Sequence, residues 1–75
     1  MSRPATEVRV QLDPHAGGSR SGQWLVESTA AGLVSSHRLK RTAVDRARQH
    51  ARGVAPAVLK VQNADGTWQT AATYR

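Results

Sequence analysis

The stretch "HRLKRTAVDRARQHARG", His37 to Gly53, is where the sequence changes from an alternating pattern to a helical one. Four apolar residues recur here at spacings of three and four, the period of an amphipathic helix: Val44, Ala47, Ala51 and Val54. The pattern predicts a helix from about Lys40 to Arg52 that is ended by Gly53. Ser36 and Thr42 are the two candidates for capping its start.

The same stretch carries most of the positive charge of the chain. It holds six of the eleven Lys and Arg residues and a single acid, Asp45, in a protein of formal net charge +6. Asp45 lies four residues after Arg41 and three before Arg48, so it is spaced to form an ion pair with either. This arrangement is typical of a solvated helix flank. A ridge of cations that follows a phosphate backbone is the functional alternative.

The segments before the helix alternate and predict strands. In "EVRVQL", Glu7 to Leu12, the apolar residues share one face and the polar residues the other. "QWLVES" and "LVSS" flank the turn "TAAG" and predict a hairpin from Gln23 to Ser36. Residues 1–6 are predicted to be a flexible tail. The glycine- and serine-rich segment 13–22 is predicted to be a mobile loop.

After the helix, "AVLKVQ" and "TWQTAATY" predict two further strands joined by the turn "NADG". The expected fold is α+β: one two-layer domain over residues 7–75, with an antiparallel sheet of four to five strands. One helix packs on one face of that sheet, in the order strand, strand, strand, helix, strand, strand. The small alanines of the helix let it approach the sheet closely. Larger side chains supply the bulk of the core: Trp24, Leu59, Val61 and Trp68.

The face of the sheet that the helix leaves uncovered is expected to carry Leu25, Val34 and Val58. Three aliphatic residues on one uncovered face suggest that a second sheet stacks there. A small domain with a thin core often gains stability by oligomerisation. We therefore expect, as one hypothesis, a homodimer formed through this face.

Composition bounds the classes of protein to which the chain can belong. The absence of cysteine removes disulfides and thiolate metal sites and agrees with a reducing compartment. No apolar run approaches the length needed to span a bilayer, and the N-terminal residues lack a signal-peptide core. The expected location is the cytoplasm, with no membrane partner.

No catalytic motif stands out. The histidines, His15, His37 and His50, lie in unrelated contexts, and none has a second ligand at metal-binding spacing. "GGSRSG" lacks the lysine of a phosphate loop and precedes a strand instead of a helix. The sequence therefore predicts a protein that is not an enzyme, with no cofactor, no metal and no small-molecule substrate.

The charge favours an anionic partner, and DNA or RNA is the first candidate. The expected contacts are phosphate-directed and without strong sequence specificity, and they involve Arg20, Arg38, Lys40, Arg41, Arg48 and Arg52. The alternative is a structural or protein-interaction module, in which the charge serves solubility and the uncovered sheet face forms the dimer.

Several ordered motifs together resemble domain-of-unknown-function family 2188, a group of small bacterial and archaeal proteins. These are "GQWLVES" after "VRVQL", then "AVDRARQHAR", "LKVQNADGTW" and the closing "TYR". The matching positions are mainly apolar, small or turn residues: Gly22, Trp24, Val26, Ala43, Ala47, Ala51, Asp65, Gly66, Thr73 and Tyr74. Lys40 departs from the family's usual threonine cap, and Arg75 from its usual glycine. The resemblance implies a compact α+β domain and carries no established activity.

Overall fold

The computed structural model describes residues 5–13 and 22–75. Its elements are β1 (Thr6–Leu12), β2 (Trp24–Ser28), β3 (Gly32–His37), α1 (Lys40–Gly53), β4 (Ala57–Gln62) and β5 (Trp68–Tyr74). The predicted α+β class and element order are confirmed. Residues 1–4 of the predicted tail and 14–21 of the predicted loop lie outside the described residues, whereas Thr6 belongs to β1.

The five strands form one sheet in the order β3-β2-β1-β4-β5. Three neighbouring pairs are antiparallel, but β1 and β4 are parallel, so the sheet is mixed and not wholly antiparallel as predicted. The reason lies in the connection. The hairpin of β2 and β3 leaves β3 running in the direction of β1, and α1 then carries the chain back across the sheet. As a result, β4 enters beside β1 in the same direction.

The core lies between α1 and one face of the sheet. The helix contributes Ala43, Ala47 and Ala51, all with 0% exposure. The strands contribute the other members of the buried cluster: Val8, Val10, Val26, Ala57, Leu59 and Val61. The half-buried Trp24 packs against this cluster. The helix therefore rests on the sheet through methyl groups, as the alanine spacing predicts, and the sheet supplies most of the apolar volume.

The predicted C-terminal end of the helix is confirmed, but the predicted N-terminal caps are wrong. The N-cap is Leu39, with no side-chain capping hydrogen bond. Ser36 does not cap the helix because it pairs with Leu25 within the sheet, and Thr42 lies inside the first turn. The helix ends at Gly53 as expected. The next backbone N–H, that of Val54, donates to the carbonyl of Ala51 at 3.2 Å.

A bulge in β3 moves Val34 away from its predicted face. Val26 pairs with Ser35 and Glu27 with Leu33, so Val34 is the extra residue of the bulge. It packs against the core cluster instead of lying on the uncovered face. The prediction that Val34 lies on the uncovered face is therefore wrong. An inserted residue shifts the alternation of the strand, so the residues on its two sides no longer follow one pattern.

A second bulge, in β5, has the opposite effect on Trp68. Leu59 pairs with Ala72 and Lys60 with Thr70, which leaves Ala71 as the extra residue. Trp68 pairs with Gln62, on the side of the sheet away from the buried residues of β4, and it is 41% exposed. The prediction that Trp68 fills the core is therefore wrong. We call this side, opposite α1, the open sheet face.

The predicted "NADG" turn joins β4 and β5 and stabilises itself locally. Gly66 has a φ of +89°, a left-handed conformation that glycine adopts without steric cost. The Asp65 carboxylate accepts hydrogen bonds from the hydroxyl of Thr67 at 2.6 Å and from its backbone N–H at 3.0 Å. These bonds hold the pKa of Asp65 below its ordinary value. The turn thus sets the register of β5 against β4.

Candidate nucleic-acid interface

Six cations lie on α1 and the residue pair before it, and we call them the basic helix face: Arg38, Lys40, Arg41, Arg46, Arg48 and Arg52. Because Ala43, Ala47 and Ala51 face the sheet, the helix arginines occupy the flanks and the outer side of the helix, while Lys40 lies over Trp24. A helix of 14 residues is about 21 Å long, enough to span several successive phosphates of one strand.

The basic helix face is not neutralised by carboxylates of the chain. Among the described residues, both ion pairs within 4 Å involve Glu7, which lies in β1. Asp45 is exposed and forms no pair with Arg41 or Arg48, although its spacing allows one. The guanidinium and ammonium groups of this face therefore keep their hydrogen-bond donors available for an external anion.

The start of the helix concentrates positive charge where the helix dipole disfavours it. Lys40 and Arg41 occupy the first turn, which contains no acidic residue. The ammonium of Lys40 lies over the ring of Trp24, 5.3 Å from its centroid, a distance at which a cation–π contact stabilises both groups. This contact attaches the Lys40 side chain to the edge of the core. The charge of Arg41 has no such support, since its side chain is exposed.

The structure brings together five of the six cations predicted to bind nucleic acid. The sixth, Arg20, lies outside the described residues. Arg46 was not among the predicted residues, yet it lies on α1 and is half-buried. The helical period could have identified it: at about 100° per residue, Arg46 falls beside His50, on the flank opposite Arg48.

The surroundings of two histidines, His37 and His50, bear on catalysis and metal binding. Nε2 of His37 lies 2.8 Å from the hydroxyl oxygen of Ser35, because the two residues are two apart in β3 and share a face. A hydroxyl and an imidazole are two of the three groups of a catalytic triad. Within the described part of the chain, no carboxylate supplies the third. Nε2 of His50 is buried without a hydrogen-bond partner there. No three metal-ligating side chains cluster in residues 5–13 and 22–75.

The residues predicted to form a dimer face do not lie together. Leu25 lies opposite Gln11 on the open sheet face but is only 7% exposed, and Val58 is half-buried on the same face. Val34 packs against the core instead. The rest of that face is largely polar. In one contact across it, the side-chain amide of Gln11 donates to the carboxylate of Glu27 at 3.2 Å. It is therefore a largely polar surface with scattered apolar side chains, unlike the apolar face that the sequence suggested.

A charge cluster occupies the centre of the open sheet face. Arg9 and Lys60 are direct neighbours in the register of β1 and β4, where two like charges repel each other. Glu7 lies between them, 3.0 Å from the guanidinium of Arg9 and 3.3 Å from the ammonium of Lys60. The hydrogen bond from Arg9, followed by that from Lys60, holds the pKa of Glu7 below its ordinary value of 4.5.

Because the folded state lowers the pKa of Glu7, the stability that this carboxylate contributes is present above pH 4.5 and is lost as the pH falls through its folded pKa. We expect Glu7→Gln to reduce stability at neutral pH by up to about 1 kcal/mol, since the ion pairs are partly exposed. The difference in melting temperature between the two proteins should vanish in acid, where Glu7 is itself neutral. Thermal unfolding at a series of pH values measures this. A difference independent of pH would instead assign the loss to packing.

Among the described residues, no helix is long and apolar enough to cross a membrane. No curated protein and no solved structure matches the chain. The model of one family, described as an uncharacterized protein conserved in bacteria (DUF2188), matches residues 14–74. That range includes β2 to β5 and α1, with the alanine-spaced helix and the Asp-Gly turn, while β1 precedes it. The chain therefore belongs to this bacterial family of uncharacterised proteins, DUF2188.

Proposed function

We propose that the protein is a small non-enzymatic module that binds nucleic acid through the basic helix face. The observation that carries the proposal is the set of six cations along α1 and just before it, with one nearby acid, Asp45, that pairs with none of them. Contacts of this kind go to phosphates and tolerate any base sequence. The affinity would fall steeply as the salt concentration rises, and it would differ little between base sequences.

The distribution of charge over the surface supports this proposal more strongly than the net charge of the chain does. On the open sheet face, Glu7 forms ion pairs with Arg9 and Lys60, and Glu27 lies opposite Arg9 in the register of β1 and β2, so two acids balance two cations. On the helix side the positive charge is uncompensated, so the two sides of the sheet differ in potential. A charge that served only solubility would have no reason to collect on one side. Such an asymmetry steers a polyanion toward the helix and raises its association rate.

Two further points of the proposal concern chemistry and location. We treat the module as non-enzymatic because the hydroxyl–imidazole pair of Ser35 and His37 lacks an acid partner in the described part of the chain. We place it in the cytoplasm because the sequence has no cysteine and a high positive charge, which suit a reducing compartment with abundant nucleic acid.

The triple variant Arg41→Gln, Arg48→Gln and Arg52→Gln tests the proposal. Glutamine keeps the helix propensity and the polarity of these positions while it removes three charges. We expect weaker binding to a fluorescent duplex at low salt. The slope of log K against log salt should also become shallower, by about 0.9 for each phosphate contact that is lost. Fluorescence anisotropy titrations at several salt concentrations measure both quantities.

A matched control lowers the net charge by the same three units away from the helix: Ala64→Glu, Gln69→Glu and Arg75→Gln, all at exposed positions. This control should bind the duplex nearly as tightly as the parent protein. If the two triple variants lose equal affinity, net charge and not the helix governs binding. If the parent protein binds neither DNA nor RNA at low salt, the proposed function is wrong.

The alternative, a protein-interaction module that dimerises through the open sheet face, has less support. Of its three expected residues, Val34 packs against the core, and Leu25, although on the open sheet face, is only 7% exposed. The charged residues Glu7, Arg9 and Lys60 occupy the centre of the surface that would have to be desolvated. Sedimentation of the protein over a range of concentrations decides whether it dimerises at all.

A further inference from the structure

Trp68 has surroundings that differ from those of an ordinary exposed side chain. A single exposed apolar residue is normal on a protein surface and needs no explanation. Trp68, however, lines a shallow depression of about 230 Å³ together with Glu7, Arg9 and Lys60. An indole ring, two cations and one carboxylate thus meet on the open sheet face, on the opposite side of the sheet from α1.

The cations of this depression retain unused hydrogen-bonding capacity. The side chains of Arg9 and Lys60 are 50% and 42% exposed, and each makes one contact, with Glu7. A guanidinium has five N–H donors and an ammonium three, so most of them point to solvent. With Glu27, which lies opposite Arg9 in the register of β1 and β2, the four charged groups of this face sum to zero. The two cations therefore contribute hydrogen-bond donors beside the indole and no excess of charge.

A nucleotide is the ligand whose chemistry fits the indole and the two cations. Its base offers a flat π-surface to the Trp68 indole, and its phosphate accepts hydrogen bonds from Arg9 and Lys60. An acidic peptide would use the cations but would leave the indole without a partner. In a duplex both faces of a base are already stacked, so only an unpaired base can lie on a tryptophan that projects from a sheet. The ligand class is therefore single-stranded nucleic acid.

We propose that the open sheet face carries a second binding site, in which Trp68 stacks on an unpaired base of a single strand while Arg9 and Lys60 contact its phosphates. The site rests on the proposed function only in its choice of nucleic acid as the ligand class. It is separate in space from the basic helix face, since the sheet lies between them. The two sites can consequently be tested with different probes and different variants.

The test compares Trp68→Ala and Trp68→Phe with the parent protein, using a labelled oligothymidine of roughly 10 nucleotides and a duplex of equal length. Trp68→Ala should weaken single-strand binding by about 5- to 150-fold and leave duplex binding unchanged. Trp68→Phe should retain most of the affinity because a phenyl ring also stacks. Single-strand binding should quench the tryptophan fluorescence of the parent protein. In Trp68→Phe, where Trp24 is the remaining tryptophan, that quenching should disappear.

Several results would overturn the site. These are an unchanged single-strand affinity in Trp68→Ala, an equal loss for both probes, or a parent protein that does not bind the single strand. Quenching that persists in Trp68→Phe would place the stacked base elsewhere, and this readout remains valid if Trp68→Ala fails to fold. Failure here leaves the basic helix face untouched, since that face is judged by duplex binding of the helix variants.

Discussion

Leu59→Ala is expected to lower the free energy of unfolding by about 2–5 kcal/mol, the range observed when a fully buried leucine is truncated. Leu59 is 0% exposed and is the largest of the fully buried side chains. It lies on β4, between Val8 of β1 and Ala72 of β5 in the register of the sheet. The buried residues of α1 are all alanines, so no buried side chain of the helix is long enough to fill the cavity that truncation leaves.

The size of the domain makes this loss severe. A chain of 75 residues is expected to have a total stability of about 4–11 kcal/mol. Urea unfolding followed by circular dichroism measures the change directly. Leu39→Ala is the matched control, since Leu39 is 63% exposed and the same truncation should cost less than about 0.5 kcal/mol. Similar losses in the two variants would mean that the core is not centred on Leu59.

The regular parts of the fold follow from the period of the apolar residues. The alternation of Val8 and Val10 predicts β1, and the recurrence of Ala43, Ala47 and Ala51 predicts α1, because each pattern places its apolar side chains on one surface. These surfaces pair as a helix on a sheet, so the α+β class is determined by residues that are local in sequence.

The two bulges could not be predicted from the sequence. The residues of β3 and β5 are suited to either face of the sheet, so their pattern does not show where an extra residue is inserted. In "LVSSH" and "WQTAATY" small, polar and apolar residues are mixed, and alternation can be read in either phase. The structure inserts Val34 and Ala71, which turns Val34 to the core and Trp68 to the surface. The site proposed around Trp68 could therefore not be predicted from the sequence.

The candidate interface on the helix was only partly predictable. Its charges can be counted from the sequence, and their positions on the flanks follow from the helical period. Whether Asp45 forms an ion pair with Arg41 or Arg48 depends on the side-chain rotamers. The spacing in sequence permits such a pair but does not determine it. The parallel pairing of β1 with β4 is likewise a property of the connection through α1, and neither strand encodes it alone.

Ala47→Leu should be the most damaging single change on the helix, with a loss of about 3 kcal/mol, the upper end of the range for overpacking. Ala47 is 0% exposed at the middle of α1, with Ala43 and Ala51 one turn on either side. The added atoms have no space to enter, so the helix must move away from the sheet and all three alanines lose contact with it. Leucine is a good helix former, and the loss therefore cannot come from the helix itself.

Gln49→Leu separates this effect from a general consequence of adding leucine to the helix. Gln49 is exposed on the outer side of α1, and the same residue there should change the free energy of unfolding by less than about 0.5 kcal/mol. Urea unfolding of both variants gives the comparison. If Ala47→Leu is as stable as Gln49→Leu, the helix does not rest on the sheet through its alanines. The close approach inferred for this fold would then be incorrect. If the expected difference is found, alanine at this position is required by the short distance between the helix and the sheet.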